Sequence, residues 1–302
     1  MTATARRSDR RAAFAFLSPW LIGFAVFTAW PLGYSVYLSL TDYDVINDPS
    51  FVGFDNYAQL FADPKISLAL TNTFLFTIMQ VPVHVIVSLM LALLLSQAAQ
   101  RSAGFFRTLF FLPKMTPPVA IGILFLLLFN GQNGLINTVL GFFGIDGPSW
   151  TTDPAWVKPG LVLMSAWSVG ASVIILLAAL QNVPRELVES ARMDGAGPVR
   201  TTFSITLPMI SPALFFIIIV NTIASLQTFD EAYTAFFGAG NTTYSNDAAL
   251  FYVIYLFQQA FEFLHMGYAS AMAWVLFAII MVITAVQLVV SRRLVYYEGE
   301  AK

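Results

Sequence analysis

The stretch ELVESARMDGAGPVR, Glu186–Arg200, is a short polar segment between two long apolar runs. Pro184 precedes it, and proline suits the first turn of a helix because its missing N–H would have no partner there. Gly195 and Pro198 interrupt helical backbone and favour the end of a helix. The pattern therefore predicts a short helix from Pro184 to Asp194, in a connection between two apolar segments.

The predicted helix has one narrow apolar strip, formed by Leu187, Val188 and Ala191, with charged side chains around the rest of its surface. A strip of this width is too small to hold a helix strongly in lipid, whereas it fits a groove on another protein. Two other interpretations stay open: a helix that lies on the lipid headgroups, and a capped connection without a partner.

The composition of the whole chain is that of an integral membrane protein. Of its 302 residues, 58% are hydrophobic and 11% are charged, compared with about 25% charged residues in a soluble domain. The absence of cysteine excludes disulfides, and two histidines, His84 and His265, are too few to predict a metal site. The net charge of −2 gives no general attraction to nucleic acid. We therefore expect an all-α polytopic membrane protein.

Six apolar runs are each long enough to cross a bilayer as a helix, which takes about 20 residues. The first run follows four arginines, as in a signal peptide, but it is longer than the apolar region of about 7–15 residues typical of one. We therefore expect six spans over residues 14–291, between a basic segment 1–13 and a tail 292–302. The runs are Phe14–Leu40, Leu70–Ser96, Leu109–Asn130, Lys158–Gln181, Leu207–Phe229 and Tyr268–Val290.

The distribution of Lys and Arg predicts the orientation of the six spans, because cytoplasmic loops are enriched in positive charge. Twelve of the fifteen Lys and Arg residues lie on the side of both termini, whereas only Lys65 and Lys158 lie in the opposite loops. Lys114 lies at the start of the third span. Both termini and the Glu186–Arg200 stretch, between the fourth and fifth spans, are therefore expected to be cytoplasmic.

Prolines cluster in the third span at Pro113, Pro117 and Pro118. Proline removes a backbone hydrogen bond, and in lipid the freed carbonyl must find another partner. Helices interrupted in this way either pack as simple kinks or line a wet cavity. The clustering favours a third span that lines a pathway.

The polar stretch also resembles a family signature. Its Glu-Ser-Ala triplet, the following Gly and a later Leu-Pro are similar to the cytoplasmic EAA loop of membrane subunits of binding-protein-dependent ABC importers. Ser replaces the usual second Ala. Outer segments resemble those of the carbohydrate-uptake subgroup, in the half similar to the maltose-system F and glycerol-phosphate-system A subunits. The matching residues are Glu189-Ser190-Ala191, Gly195, Ile205, Leu207-Pro208, Phe51–Tyr57, Asn72-Thr73, Phe129-Asn130 and Gly134–Asn137.

This resemblance implies a division of labour between polypeptides in a bacterial inner membrane. A second, non-identical permease subunit would complete the path, an extracytoplasmic binding protein would deliver a sugar, and a dimer of ATPase subunits would grip the short helix. The sequence has no G-x-x-x-x-G-K-[ST] motif, so ATP and Mg²⁺ are expected on the ATPase, and this chain is a transport subunit and not an enzyme. The residues expected to couple to the ATPase are Glu186, Leu187, Glu189, Ser190, Ala191, Asp194 and Gly195.

Candidate residues for a sugar path come from spans four and five. Such a path needs hydrogen-bonding groups and aromatic faces around a cavity, and by the resemblance the span after the EAA loop lines the sugar site. Asn221 and Ser225 share a helix face, with Trp167, Ser168 and Ser172 as an opposite wall. Each of these residues could instead serve ordinary packing or helix–helix hydrogen bonding.

Four other polar residues lie near the expected path. Gln80 and His84 are in span two, and a structural role is favoured for His84 over contact with the pathway. Asp230 and Glu231 follow span five and are expected to be solvated loop acids.

Three other functions are less compatible with the sequence. A proton- or sodium-coupled secondary transporter tends to bury carboxylates and to contain inverted repeats, and the six runs show neither. A membrane-embedded enzyme needs clustered His, Asp or Cys, which are lacking. An importer of a glycerophosphate-type or other polyol cargo is the closest alternative. A phosphate would need Arg or Lys near the path, and Lys114 is the only candidate within a span, so a neutral di- or oligosaccharide is expected.

Overall fold

The computed structural model describes residues 3–97, 100–237 and 246–295. The chain divides into two compact units, Met1–Asp63 with Leu256–Ala278 and Pro64–Tyr255 with Ile279–Lys302. In the described residues, the α-helices are α1 Ala3–Phe24, α2 Trp30–Ser39, α3 Asp55–Ala62, α4 Pro64–Gln97, α5 Gln100–Phe111, α6 Pro118–Leu128, α7 Leu135–Phe142, α8 Pro154–Ser165, α9 Gly170–Gln181, α10 Arg185–Met193, α11 Pro198–Thr201, α12 Leu207–Met209, α13 Ser211–Leu226, α14 Asp230–Phe236, α15 Tyr252–Phe257 and α16 Met266–Leu294.

Shorter elements join several of these helices. Strands β1 Thr41–Asp42 and β2 Ser50–Phe51 pair antiparallel, with Thr41 opposite Phe51. Short 3₁₀ turns and π turns lie at several other junctions. Their backbone hydrogen bonds span one residue fewer or one residue more than those of an α-helix. The 3₁₀ turns are Leu112–Met115, Ala166–Ser168 and Asn246–Ala249, and the π turns are Ala25–Ala29, Thr202–Thr206 and Gln258–Glu262.

In the first unit, the Phe51–Tyr57 segment closes the C-terminal end of α2. The Asn56 amide donates to the carbonyls of Ser39 and Thr41, at 3.0 and 2.9 Å, and the Tyr57 hydroxyl lies 2.8 Å from the Ser39 hydroxyl. The Ser39 carbonyl is one of those that a helix end leaves without an intrahelical partner, and Thr41 lies in β1 just beyond that end. The family-like segment therefore has a structural role as a C-terminal cap.

Four helical segments are long and apolar enough to cross a membrane without a sharp break, and two more are broken pairs. If each pair crosses once, the described residues contain the six expected spans. The continuous segments are Phe14–Ser39, Pro64–Gln97, Ser211–Phe236 and Met266–Arg292, and the pairs are Gly104–Met115 with Pro118–Leu128, bent by 95°, and Pro154–Ser168 with Gly170–Gln181, bent by 53°.

The third and fourth spans start earlier than the sequence predicted, and both are bent. In the third, Thr116 and Pro117 have extended ψ angles of 130° and 136°. A residue before proline avoids helical backbone, and Pro118 then starts α6 in the first turn, where its missing N–H costs nothing. The proline cluster thus breaks the third span, which is a stronger effect than a kink in a continuous helix.

The second unit is held together where α4, α9 and α13 pack. Val173, Leu176 and Ile217 are at most 1% exposed in a cluster that also contains Ala92 and Ile210. The backbones of the two bent spans also lie close together where they cross. A Cβ on Gly170, in the fourth span, would overlap with the carbonyl of Phe110, in the third.

The N-terminal part of α4 is fixed to the segment that precedes α15. The Asn72 amide donates to the carbonyls of Asp247 and Leu250, at 2.7 and 3.0 Å, and the Tyr252 N–H donates to the Thr73 hydroxyl at 3.0 Å. The family-like pair Asn72-Thr73 therefore holds residues 247–252 against α4.

Candidate coupling helix and substrate cavity

Helix α10, Arg185–Met193, is the short polar helix that the sequence predicts, and Gly195 stops it. Gly195 has φ +80°, a left-handed conformation that glycine adopts without a Cβ clash. The Ala196 N–H donates to the Ala191 carbonyl at 2.9 Å, and the Gly195 N–H donates to the Arg192 carbonyl at 3.1 Å. These two bonds form a Schellman motif, in which a left-handed residue closes the helix. Gly195, the glycine of the family-like signature, therefore ends α10 through its backbone conformation.

The surface of α10 is largely exposed. Leu187 is 47% exposed, and Glu186, Glu189, Ser190 and Gly195 are exposed as well. Ala191 is half-buried, and Asp194 caps the helix. The seven residues proposed to couple to an ATPase therefore lie on or directly after one short, rigid helix, and their coupling role remains a prediction.

A cavity of about 430 Å³ lies in the second unit. Its walls come from α4, the broken third span, the bent fourth span, α13 and the start of α14, so both bent spans contribute, as the proline cluster predicts for the third. The polar and charged lining residues are Gln80, His84, Lys114, Ser165, Ser168, Ser172, Asn221, Ser225, Gln227, Thr228, Asp230 and Glu231.

Of the five residues predicted for the sugar path, four line this cavity: Ser168, Ser172, Asn221 and Ser225. Asn221 donates through its amide to the Ile217 carbonyl of its own helix, at 2.9 Å, and Ser168 is likewise bonded to the Ser165 carbonyl, at 3.0 Å. Ser225 is buried and donates to Thr77. Trp167 is 63% exposed and lies outside the cavity lining. Their contact with substrate stays a prediction.

A polar stripe on α4 forms a further part of the cavity region, and the sequence analysis did not recognise it as a unit. Thr73, Thr77, Gln80, His84 and Ser88 are all buried on one side of an otherwise apolar helix. Their spacing of three or four residues is the signal that could have revealed a common face. His84 Nε2 lies 2.9 Å from the Ser172 hydroxyl, so the stripe contacts the fourth span.

The expectation that Asp230 and Glu231 are solvated loop acids is wrong. Both residues begin helix α14 and line the cavity. Helix α13 passes into α14 after a short turn, so the apolar segment Ser211–Phe236 extends beyond the predicted end of span five. Lys114, on the 3₁₀ turn at the break of the third span, lines the same cavity. The site therefore combines neutral polar groups with one cation and two carboxylates.

Comparisons with known proteins agree with this architecture. Residues 84–296 match the family described as binding-protein-dependent transport system inner membrane component. The chain is 40% identical over 297 residues to the probable ABC transporter permease protein YesP of Bacillus subtilis strain 168, which covers 97% of this chain and 94% of YesP. It is 33% identical over 301 residues to the lactose transport system permease protein LacF of Rhizobium radiobacter, covering 97% and 99% of the two chains.

The fold has a close counterpart among solved structures. A chain in the crystal structure of a bacterial ABC transporter involved in the import of the acidic polysaccharide alginate superposes with a TM-score of 0.82 at 22% identity, covering 97% of this chain and 100% of that chain. The polytopic helical fold is therefore that of an ABC importer permease.

The region of the family match contains α10 and most of the cavity lining. The match confirms the resemblance found in the Glu189–Gly195 signature, and with it the prediction of a transport subunit that is not an enzyme. The chain belongs to the family of inner membrane components of binding-protein-dependent transport systems.

Proposed function

We propose that this chain forms half of the transmembrane path of an importer for a di- or oligosaccharide in a bacterial inner membrane. A second, non-identical permease subunit completes the path, an extracytoplasmic binding protein delivers the sugar, and an ATPase dimer binds α10. Both termini and α10 are on the cytoplasmic side, and ATP with Mg²⁺ is bound by the ATPase.

The observation that carries this proposal is the combination of a polar cavity with an exposed, rigidly stopped α10 in one member of this family. A helix transmits displacement from a partner only if its end is fixed to the chain that it must move. The Schellman closure at Gly195 sets, by two backbone bonds, the direction in which the chain leaves α10 toward the fifth span. Closure of the ATPase dimer then shifts the packed spans between two arrangements.

Three observations support a neutral sugar as the cargo. A sugar exchanges many water hydrogen bonds for contacts with the cavity wall, and hydroxyl and amide groups line this wall. Lys114 faces the same cavity as Asp230 and Glu231, and the two carboxylates disfavour a dianionic phosphate. The relative LacF is named for lactose transport. Glycerophosphate remains the alternative because Lys114 supplies the one cation in the cavity lining.

The proposal is tested by purifying the affinity-tagged chain with its partners from the membranes of its source bacterium and reconstituting the complex in vesicles. We expect co-purification of an ATPase with a phosphate-binding loop and a second permease. We also expect ATP-dependent uptake of at least one of lactose, maltose, cellobiose, arabinobiose and chitobiose. Uptake of sn-glycerol 3-phosphate alone would favour the alternative cargo, and a complex without an ATPase would contradict the coupling role of α10.

A further inference from the structure

Two side chains on α4 have buried polar atoms that the protein leaves without a partner. Gln80 is 8% exposed and His84 is 6% exposed, and both line the cavity. The Gln80 Oε1 and the His84 Nδ1 are buried and accept or donate no hydrogen bond within the described part of the chain. Leaving a buried polar atom without a partner lowers stability by about 1–3 kcal/mol. Two such atoms in neighbouring side chains that line a cavity therefore indicate a ligand.

The other members of the polar stripe do not share this property. The hydroxyls of Thr73, Thr77 and Ser88 donate to the carbonyls four residues earlier on the same helix, at 2.8, 2.8 and 2.6 Å. Their hydrogen-bonding needs are therefore met inside α4. Gln80 and His84 line the cavity, and they differ from these neighbours on the stripe in each having a buried polar atom without a partner in the described residues.

The geometry of the pair is suited to one small group. Residues four apart on a helix are neighbours on its surface, so the two side chains border one part of the wall. Ser172, on the fourth span, holds His84 Nε2 at 2.9 Å and thereby orients the ring, leaving Nδ1 for another partner. The imidazole is thus positioned by two different spans, its own and the fourth.

A hydroxyl group matches this pair when Nδ1 carries the imidazole proton, because it then accepts from Nδ1–H and donates to the Gln80 Oε1. In the other tautomer both atoms are acceptors, and two neighbouring sugar hydroxyls donate one hydrogen bond to each. Nδ1 of a neutral imidazole is an acceptor or a donor according to the tautomer, and an amide presents an acceptor at one end and donors at the other. A hydroxyl both donates and accepts, whereas a phosphate or carboxylate oxygen only accepts.

We propose that Gln80 and His84 form a hydroxyl-recognition site for the transported sugar, with Ser172 as the positioning residue for the imidazole. The site lies on span two and adds to the polar groups of spans four and five. This inference rests on the proposed sugar-import function. It assigns substrate contact to the span for which the sequence favoured a structural role.

The test combines substitutions in the protein with removal of single hydroxyls from the sugar. The complete importer is reconstituted in vesicles with saturating binding protein loaded with sugar, so that differences in uptake report the permease. The probe is whichever of lactose, maltose, cellobiose, arabinobiose and chitobiose the wild type transports fastest, together with its monodeoxy derivatives. The variants are Gln80→Leu and His84→Phe, and the matched control is Ser88→Ala on the same helix.

For the wild type, we expect one monodeoxy derivative to be transported about 3- to 10-fold more slowly than the parent sugar, the effect of one or two neutral hydrogen bonds. Gln80→Leu and His84→Phe should slow the parent sugar by a similar factor and show no further loss with that derivative. Ser88→Ala should keep the full wild-type difference between the two sugars, because its hydroxyl is bonded within α4.

The outcomes separate the two levels of the proposal. Wild-type importer that takes up sn-glycerol 3-phosphate and none of the five sugars overturns the sugar-import function, and this assignment with it. Wild-type transport with the same deoxy-sugar penalty in Gln80→Leu and His84→Phe overturns the assignment alone. If either variant fails to assemble, Gln80→Ala and His84→Ala remove the same polar groups with smaller side chains and are read by the same loss or retention of the deoxy-sugar penalty.

Discussion

The Ser225 hydroxyl donates to the Thr77 hydroxyl at 3.0 Å, which links the fifth span to the second at the cavity wall. Both residues are buried, and Thr77 itself donates to the Thr73 carbonyl. Ser225 is therefore already partnered inside the protein. The sequence assigned both Asn221 and Ser225 to the sugar path. The hydrogen bond to Thr77 distinguishes Ser225 from Asn221, whose side chain, among the described residues, bonds only within its own helix.

We expect Ser225→Ala to lower the stability of the purified subunit by about 1 kcal/mol or less, the contribution of one interhelical hydrogen bond. The Thr77 hydroxyl keeps its donor bond to Thr73, so no buried donor is left unpaired. Thermal unfolding in detergent measures the change, and sugar uptake should stay within about two-fold of wild type. A loss of uptake without a loss of stability would assign Ser225 to substrate contact.

Asn221→Leu should reduce uptake about ten-fold while assembly and thermal stability are kept. The Asn221 amide nitrogen bonds to the carbonyl of Ile217 on its own helix, and its amide oxygen accepts no hydrogen bond in the described part of the chain. Leucine removes this free acceptor from the cavity, at a cost of about 1.4 kcal/mol for a ten-fold effect. Transport in reconstituted vesicles is the measurement, with Ser225→Ala as the control on the same helix. Unchanged transport would exclude Asn221 as a ligand.

Gly195→Ala should uncouple ATP hydrolysis from transport. A Cβ in left-handed backbone costs about 1–2 kcal/mol, and at φ +80° this cost falls on the Schellman closure of α10. Gly197 has φ −70° and open space around it, so Gly197→Ala is the matched control and should behave as wild type. ATP hydrolysis per sugar transported is the measured ratio. Equal ratios in the two variants would contradict a role for this closure in coupling.

Gly170→Ala should prevent correct packing of the two bent spans. The added methyl group would overlap with the backbone carbonyl of Phe110, which cannot rotate away as a side chain would. We expect loss of folded subunit in detergent, measured by size-exclusion chromatography and thermal unfolding, because overpacking against backbone costs about 1–3 kcal/mol or more. Gly141→Ala, where nothing lies within 4 Å, serves as the control.

Single-cysteine labelling should establish the orientation, since the natural chain contains no cysteine. Ser8→Cys, in the basic segment before the first span, should be sealed from impermeant reagents added outside spheroplasts. Asn133 is exposed between α6 and α7, in a predicted outer loop. Asn133→Cys should therefore be labelled at once by the same impermeant reagents. The reverse pattern would place α10 on the wrong side for an ATPase.

The sequence alone determined those features that depend on local chemistry. The length of apolar runs predicted the spans, and Pro184 with Gly195 predicted the start and end of α10, because caps and breakers act within one helical turn. The Glu189–Gly195 signature identified the family. The prediction that Asn221, Ser225 and Ser168 line a path came from their helical spacing together with what the family resemblance implies.

Only the tertiary structure decided which polar groups face one another. The 95° break at Thr116-Pro117 brings Lys114 to the same cavity as Glu231. No local sequence pattern predicts that these two residues line one cavity. The hydroxyl of Ser225 has a partner on another span, whereas the Gln80 Oε1 and the His84 Nδ1 have none among the described residues. In an apolar environment the fate of a polar side chain depends on its neighbours across helix interfaces, and packing of the whole bundle sets those neighbours.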